Sequence, residues 1–139
     1  MAVFVKFEAF SEHLSEKVHD LNADTLRVYL TNAAPDVAAD AVKADLADLS
    51  TGGGYTAGGI DVQNATSRTG GVTSVTGVDA VWTATSGGFG PFRYAVLFND
   101  TPTSPADPLI GYWDYASSIS LLEGETFTVD VGASLFTIT

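Results

Sequence analysis

Two histidines, a carboxylate run and a glycine-rich loop are the side chains from which this chain could build a reactive site. Glu16 and His19 stand in the Glu-x-x-His spacing of carboxylate-bridged metal sites, and His13 lies two turns earlier on a nearby face. Such sites need a second copy of the motif and further glutamates from other helices, and the sequence has neither. His13 and His19 are therefore expected on solvated faces of a helix, with Glu12, Glu16 and Lys17 as neighbours. Asp20-x-Asn22-x-Asp24 imitates the start of a calcium loop. The loop next needs glycine, where Thr25 stands, and a bidentate glutamate eleven residues after Asp20, where Thr31 stands. Helix termination and a turn explain these side chains better, and no metal is expected.

The run STGGGYTAGG, Ser50 to Gly59, holds five glycines in ten residues. A phosphate loop needs lysine and a hydroxyl residue opening a helix directly after the glycines. A dinucleotide loop needs a strand before the glycines and a helix after them. Here the glycines follow a helical pattern and lead into strands, and no Lys or Arg occurs between Lys43 and Arg68. The run is expected to be a bend in which Gly52–Gly54 end a helix and Gly58-Gly59 take positive φ. Catalysis finds no better footing. Cysteine is absent, there is no G-x-S-x-G elbow, and a nucleophile–base pair would need a histidine reaching from helix to sheet. Carboxylate pairs can be drawn from seventeen acids, as in any acidic chain; Glu123 and Glu125 simply flank a turn glycine. No catalytic residue and no cofactor is expected.

These residues must be positioned by a chain of 139 residues, one domain's worth (1–139), with 45% hydrophobic content. Six basic residues oppose seventeen acidic ones, for a net charge of −11. Such a surface repels phosphate backbones and anionic lipid, so nucleic acid and membrane are not expected partners. No signal-peptide pattern opens the sequence and no apolar run is long enough to span a bilayer, so synthesis in the cytoplasm is expected.

The helical third covers residues 8–49. Phe10, Leu14, Val18 and Leu21 recur at steps of four, four and three, one stripe of a helix. TLRVYLTN alternates as a strand. DVAADAVKADLADLS, with Val37, Ala41, Leu46 and Leu49, suggests a second, Ala-rich helix. The β-sheet region covers residues 60–139. Strands are expected near Ile60–Thr66, Val72–Val75, Ala80–Thr85, Phe92–Asn99, Leu109–Tyr115, Ser118–Leu122, Thr126–Val131 and Ser134–Thr139. Turns are expected at Ser86-Gly87-Gly88, Glu123-Gly124 and Gly132-Ala133. FRYAVLF is apolar on nearly both faces and should be a central, doubly covered strand. Asn99–Pro108, with three prolines, should be a surface loop. The expected architecture is mainly β (α+β): a β-sandwich or jelly-roll-like barrel with one or two N-terminal helices. In Tyr112-Trp113-Asp114-Tyr115, period two places Tyr112 with Ile110 on one side and Trp113 with Tyr115 on the other. One pair belongs to the core; the other is core, protomer interface or ligand platform.

KFEAFSEHLSEKVHDLNADTLRVYLTNAAP, GGGYTAGG and the long GPFRYAVLFNDT…PLIGYWDY…SISLLEGETFTVD resemble a family of small structural proteins of tailed bacteriophages and prophages. The similarity runs from about Lys6 to Val131 and is strongest at Gly90–Thr101 and Pro108–Tyr115. The resemblance implies a non-enzymatic virion component of the capsid decoration (cement) type. Such a protein binds the major capsid protein on the outside of the shell, often as a dimer or trimer. On that reading the interface candidates are Val3, Phe4, Val5 and Phe7 in the arm Met1–Phe7, Trp113 and Tyr115, and Asn99, Asp100 and Thr101 in the loop. The arm could equally be an edge strand of its own sheet. Two rivals are a tail or neck component or fibre anchor, and a carbohydrate-binding module using Trp113 and Tyr115.

Overall fold

FRYAVLF lies in the middle of β7 (Phe89–Asn99), which pairs with β8 (Leu109–Leu121). The computed structural model in which this is seen describes residues 2–139; Met1, the first residue of the expected arm, lies outside them. On the far side of β8 runs β1 (Phe4–Lys6), and on the far side of β7 runs β2 (Leu26–Thr31), followed by the short β3 (Ile60–Asp61). The sheet order is β1-β8-β7-β2-β3. A three-stranded sheet has the order β10-β5-β4, from β4 (Ala65–Thr69), β5 (Val72–Thr76) and β10 (Phe136–Ile138). A two-stranded sheet joins β6 (Ala80–Thr83) to β9 (Thr126–Val129). Every strand pairing is antiparallel, and none of the sheets closes into a barrel. The fold is mainly β, with one α-helix, α1 (Glu8–Ser15), among the described residues.

At β2 and the centre of β7 the five-stranded sheet is buried on both faces, as the sequence of β7 requires. Phe92, Ala95 and Leu97 join a large cluster with Leu26, Val28 and Leu30 of β2. Val75, Trp82 and Val129 from the smaller sheets and Phe10 of α1 belong to it as well. On the other face Val96 and Phe98 meet Phe7, Tyr29, Leu46 and Leu109. The cover there comes from the segment between β2 and β3. Leu46 packs in, and the Lys43 ammonium lies 4.8 Å from the Tyr29 ring centre and 3.0 Å from Asp48.

That segment was expected to hold the second helix, and it does not. Its regular structure is a single 3-10 turn, Lys43–Asp45. The aspartates explain the difference. Asp36 accepts from the amides of Ala38 and Ala39, Asp40 from Asp36, and Asp45 from Ala41 and Val42. These side chains offer the backbone acceptors that compete with a helix. The first helix is also shorter than its apolar stripe: it stops at Ser15, and Lys17 turns to φ 66°. Asp20 then accepts from the amides of Asn22 and Ala23, so the calcium-like pattern is a turn. The expected strand Ile60–Thr66 divides into β3 and β4, while Leu109–Tyr115 and Ser118–Leu122 merge into one long β8. All three expected turns lie between strands or at a strand end.

The glycine-rich run is a bend, but Gly52–Gly54 end no α-helix, because the segment before them forms none, and the polar groups of the run are used internally. Gly52 donates to the Tyr55 carbonyl, Gly58 to Asp48, Gly59 to the Thr56 carbonyl and Ala57 to the Thr51 hydroxyl. Arg27 donates to the carbonyls of Gly58 and Gly59. Tyr55, in the middle of the run, is buried, donates to Asp48 and accepts from the Leu30 amide. Burial and Asp48 push its phenol far above the ordinary range. Gly59 shows why side chains are excluded: at φ +74° a Cβ would lie 1.8 Å from the Val28 carbonyl oxygen.

Gly59→Ala is therefore expected to destabilise the protein by about 3 kcal/mol, roughly 10 °C in Tm. Gly70→Ala has a similar backbone, φ +60°, with open space around the Cβ, and is expected to cost about 1 kcal/mol. Urea melts of the two variants check the contrast; equal losses would remove close backbone approach as the cause.

Candidate interaction surface

The N-terminal arm is an edge strand, and its alternation divides it in two. Phe4, Val5 and Lys6 stand opposite Trp113, Tyr112 and Gly111 of β8. Phe4 turns inward, its ring 5.1 Å from Trp113 and stacked on Phe136 at 5.6 Å. Gly111 makes room for it, since a Cβ there would lie 2.2 Å from the Phe4 ring. Phe7 is fully buried and its amide donates to the Ile110 carbonyl. Phe7 is thus a core residue and not a docking residue, because its ring is already covered by its own chain. Val3, Val5 and Lys6 are what the arm shows to the outside, the two valines 75% and 36% exposed.

Two hollows flank this strand. One, of about 390 Å³, is walled by β1, α1 and β10, with Phe4, Phe10, Leu14, Phe136 and Ile138 as its apolar lining. Lys6 lies at its margin, where its ammonium donates to the Ser11 hydroxyl at 2.7 Å. The second, of about 300 Å³, lies beside Ala2, Trp113, Tyr115 and Asp130.

The aromatic cluster is distributed differently from its period-two reading. Between the pairs Leu97/Gly111 and Phe98/Leu109 the register shifts, leaving Ile110 without a cross-strand partner. A bulge of this kind reverses the alternation. Ile110 consequently shares a cluster with Trp113 and Tyr115, and Tyr112 packs against the opposite one. Trp113 is 6% exposed, with Phe4 against its ring, so it is not a free platform. Tyr115 is half-buried against Phe127 at 5.0 Å, and burial, then Asp130, pushes its phenol up to about 12. Tyr112 lies 6.0 Å from Tyr94, beside a bidentate Arg93–Asp114 pair at 2.8 and 3.0 Å. That pair holds the Asp114 carboxyl below its usual range, and its half-exposed position limits what it adds to stability.

The loop after β7 is stapled at its base. Asn99, expected to touch a partner, is fully buried. Its amide nitrogen donates to Asp24 at 2.7 Å and to His19 Nδ1 at 3.0 Å, and its oxygen accepts from the Thr101 amide. Thr101 accepts from the Thr25 amide and Asp100 donates to the Thr25 carbonyl, while both side chains remain exposed. The Asp24 carboxylate only accepts, so the group facing it must be the amide NH2 of Asn99. His19 Nδ1 is then an acceptor, and the proton sits on Nε2, which is buried without a partner. Among the described residues no group of three or more His, Cys, Asp or Glu side chains is placed to hold a metal ion. His13, also expected in solvent, is half-buried with its ring 6.2 Å from that of His19.

Of the residues expected from sequence, the structure gathers Val3, Phe4, Val5, Trp113 and Tyr115 at one edge and leaves Asp100 and Thr101 exposed beyond the buried Asn99. Lys6, Phe10, Gly111 and Phe136 belong to the same edge and were missed. Gly111 alone carried a signal, as an isolated glycine within a strand pattern marks close approach. No family model, no curated protein and no solved structure matches this chain.

His19 gives the site a measurable signature. Burial, then His13, lowers its pKa from 6.5 to about 4, against the opposing pull of Asp24. The unfolded chain then binds the proton first as pH falls, so stability drops between pH 6.5 and 4. Between pH 7 and 5 the loss from this group is expected to be about 2 kcal/mol. His19→Gln should flatten that part of the profile in urea melts. An unchanged slope in the variant would contradict a neutral, buried His19.

Proposed function

We propose that this chain is a non-enzymatic capsid decoration protein of a tailed bacteriophage, made in the host cytoplasm and carried on the outside of the head. In this reading it clamps the major capsid protein, and copies associate as dimers or trimers. The observation that carries the proposal is the unpaired β1 edge, with Val3 and Val5 facing outward on a chain of net charge −11. An acidic surface keeps such a protein soluble and off the genome, and an apolar strand edge is a ready contact for a neighbour. The phage-protein resemblance over Lys6–Val131 supplies the neighbour. We read the sheets as a sandwich, the five-stranded sheet forming one layer and the two smaller sheets the other, with the large cluster between them. A clamp that binds the expanded shell and not its precursor stabilises the expanded state by mass action.

A tail or neck component would use the same edge, and copy number separates the two. A carbohydrate module finds less support, since the ring it would use, Trp113, is covered by Phe4.

Co-sedimentation with bare heads of the phage that encodes it, expanded and unexpanded, tests the proposal. Saturation at a symmetry-related copy number is expected, tighter on expanded shells. A Val3→Asp/Val5→Asp variant with unchanged Tm should bind at least tenfold more weakly. Absence of binding to both shells would end the decoration reading, and a few copies confined to one vertex would move the protein to the neck.

A further inference from the structure

The free side of β1 and the apolar hollow adjoin, and together they leave room for one more strand. β1 ends the five-stranded sheet and β10 ends the three-stranded one. Beyond their ladder partners, no backbone–backbone hydrogen bond reaches Phe4–Lys6 or Phe136–Ile138 among the described residues. Unpaired N–H and C=O groups beside an apolar wall form a template for strand addition. Lysine on an edge strand commonly blocks pairing by reaching into water. Lys6 is exposed here too, but its ammonium donates to the Ser11 hydroxyl beside the hollow, where an incoming carboxylate could meet it. Among the described residues Lys6 is the one charged residue lining that hollow. Although the chain has seventeen acidic residues, none lies within ion-pair distance of Lys6 among the described residues.

We infer that this edge takes up an extended segment of a partner protein as a sixth strand beside β1, apolar on both faces and carrying a carboxylate against Lys6. The alternation of β1 sets that chemistry. Phe4 and Lys6 face the hollow, so every second residue of the incoming strand drops against Phe10, Leu14, Phe136 and Ile138. The residues between them cover Val3 and Val5. The carboxylate meets an ammonium that has no acidic partner among the described residues and gives the added strand its register, while its backbone satisfies the open edge. The inference rests on reading β1 as the surface that meets the particle, and it names what that surface binds.

The test uses the full-length protein and a labelled seven-residue peptide of alternating valine and alanine with a free C-terminal carboxylate. Controls are the same peptide amidated, the same peptide N-methylated at alternate amides, and dodecanoate. Saturable binding is expected, with amide NMR shifts concentrated at Phe4–Lys6 and Phe136–Ile138. Amidation or Lys6→Gln should each weaken it at least fivefold, and N-methylation should abolish it. Equal binding of the amidated or N-methylated peptide, or shifts elsewhere on the protein, would overturn the inference. So would dodecanoate filling the hollow while the peptide fails to bind, since the occupant would then be an amphiphile. Head binding undiminished by saturating peptide would sink strand uptake and leave the decoration reading intact. Peptide binding without head binding would do the reverse.

Discussion

The structure depends on β7 being buried on both faces. A strand reading FRYAVLF has no polar face to give to water, so every neighbouring element must pair with it or cover it. β8 and β2 take its two edges, and the smaller sheets with α1 cover one face. The second face is covered by chain without regular structure, held by Leu46 and by the Tyr29 hydroxyl donating to the Leu46 carbonyl at 2.8 Å. A cover made of loop must satisfy its own backbone, which is the work of Asp36, Asp40 and Asp45. The acidity of the chain is thus partly structural: carboxylates that read as surface charge are local acceptors in place of a helix.

The same central hairpin decides which aromatics face outward. A regular ladder would have set Tyr112 and Ile110 together and Trp113 opposite. One skipped residue at Ile110 moves Trp113 to the large cluster, and Gly111 beside it opens the space that the Phe4 ring occupies. The arm is therefore anchored through a phenylalanine against a glycine, and its remaining side chains are left for other uses. An arm that is both an edge strand and an exposed surface follows from that single change of register.

These facts set what could be read in advance. The doubly covered strand, the turns and the glycine bend were legible because each rests on local chemistry: apolar content on both faces, or glycine at a turn. The second helix was misread because apolar spacing in Val37–Leu49 carries no information about where aspartate oxygens go. The burial of Asn99 and His19 was illegible because their partners lie about 80 residues apart in sequence. Phe7 was misplaced for a related reason: an apolar arm looks the same whether its rings meet a neighbour or its own sheet. Bulges are the hardest case, as nothing in LIGYWDY announces which residue will be skipped.

An apolar edge on an acidic chain also carries a bias in the choice of partner. Two copies meeting edge to edge bring two charges of −11 together. At physiological ionic strength charge is felt over about 8 Å, so acidic residues near both edges oppose the contact while more distant ones are screened. A partner with a neutral or basic surface and one suitably placed carboxylate escapes most of that repulsion and still meets Lys6. Electrostatics therefore disfavours the homotypic pairing to which bare strand edges are prone and leaves heterotypic pairing open. Self-association of this protein, where it occurs, is then expected to use a surface other than β1, so that the edge stays free for a partner strand.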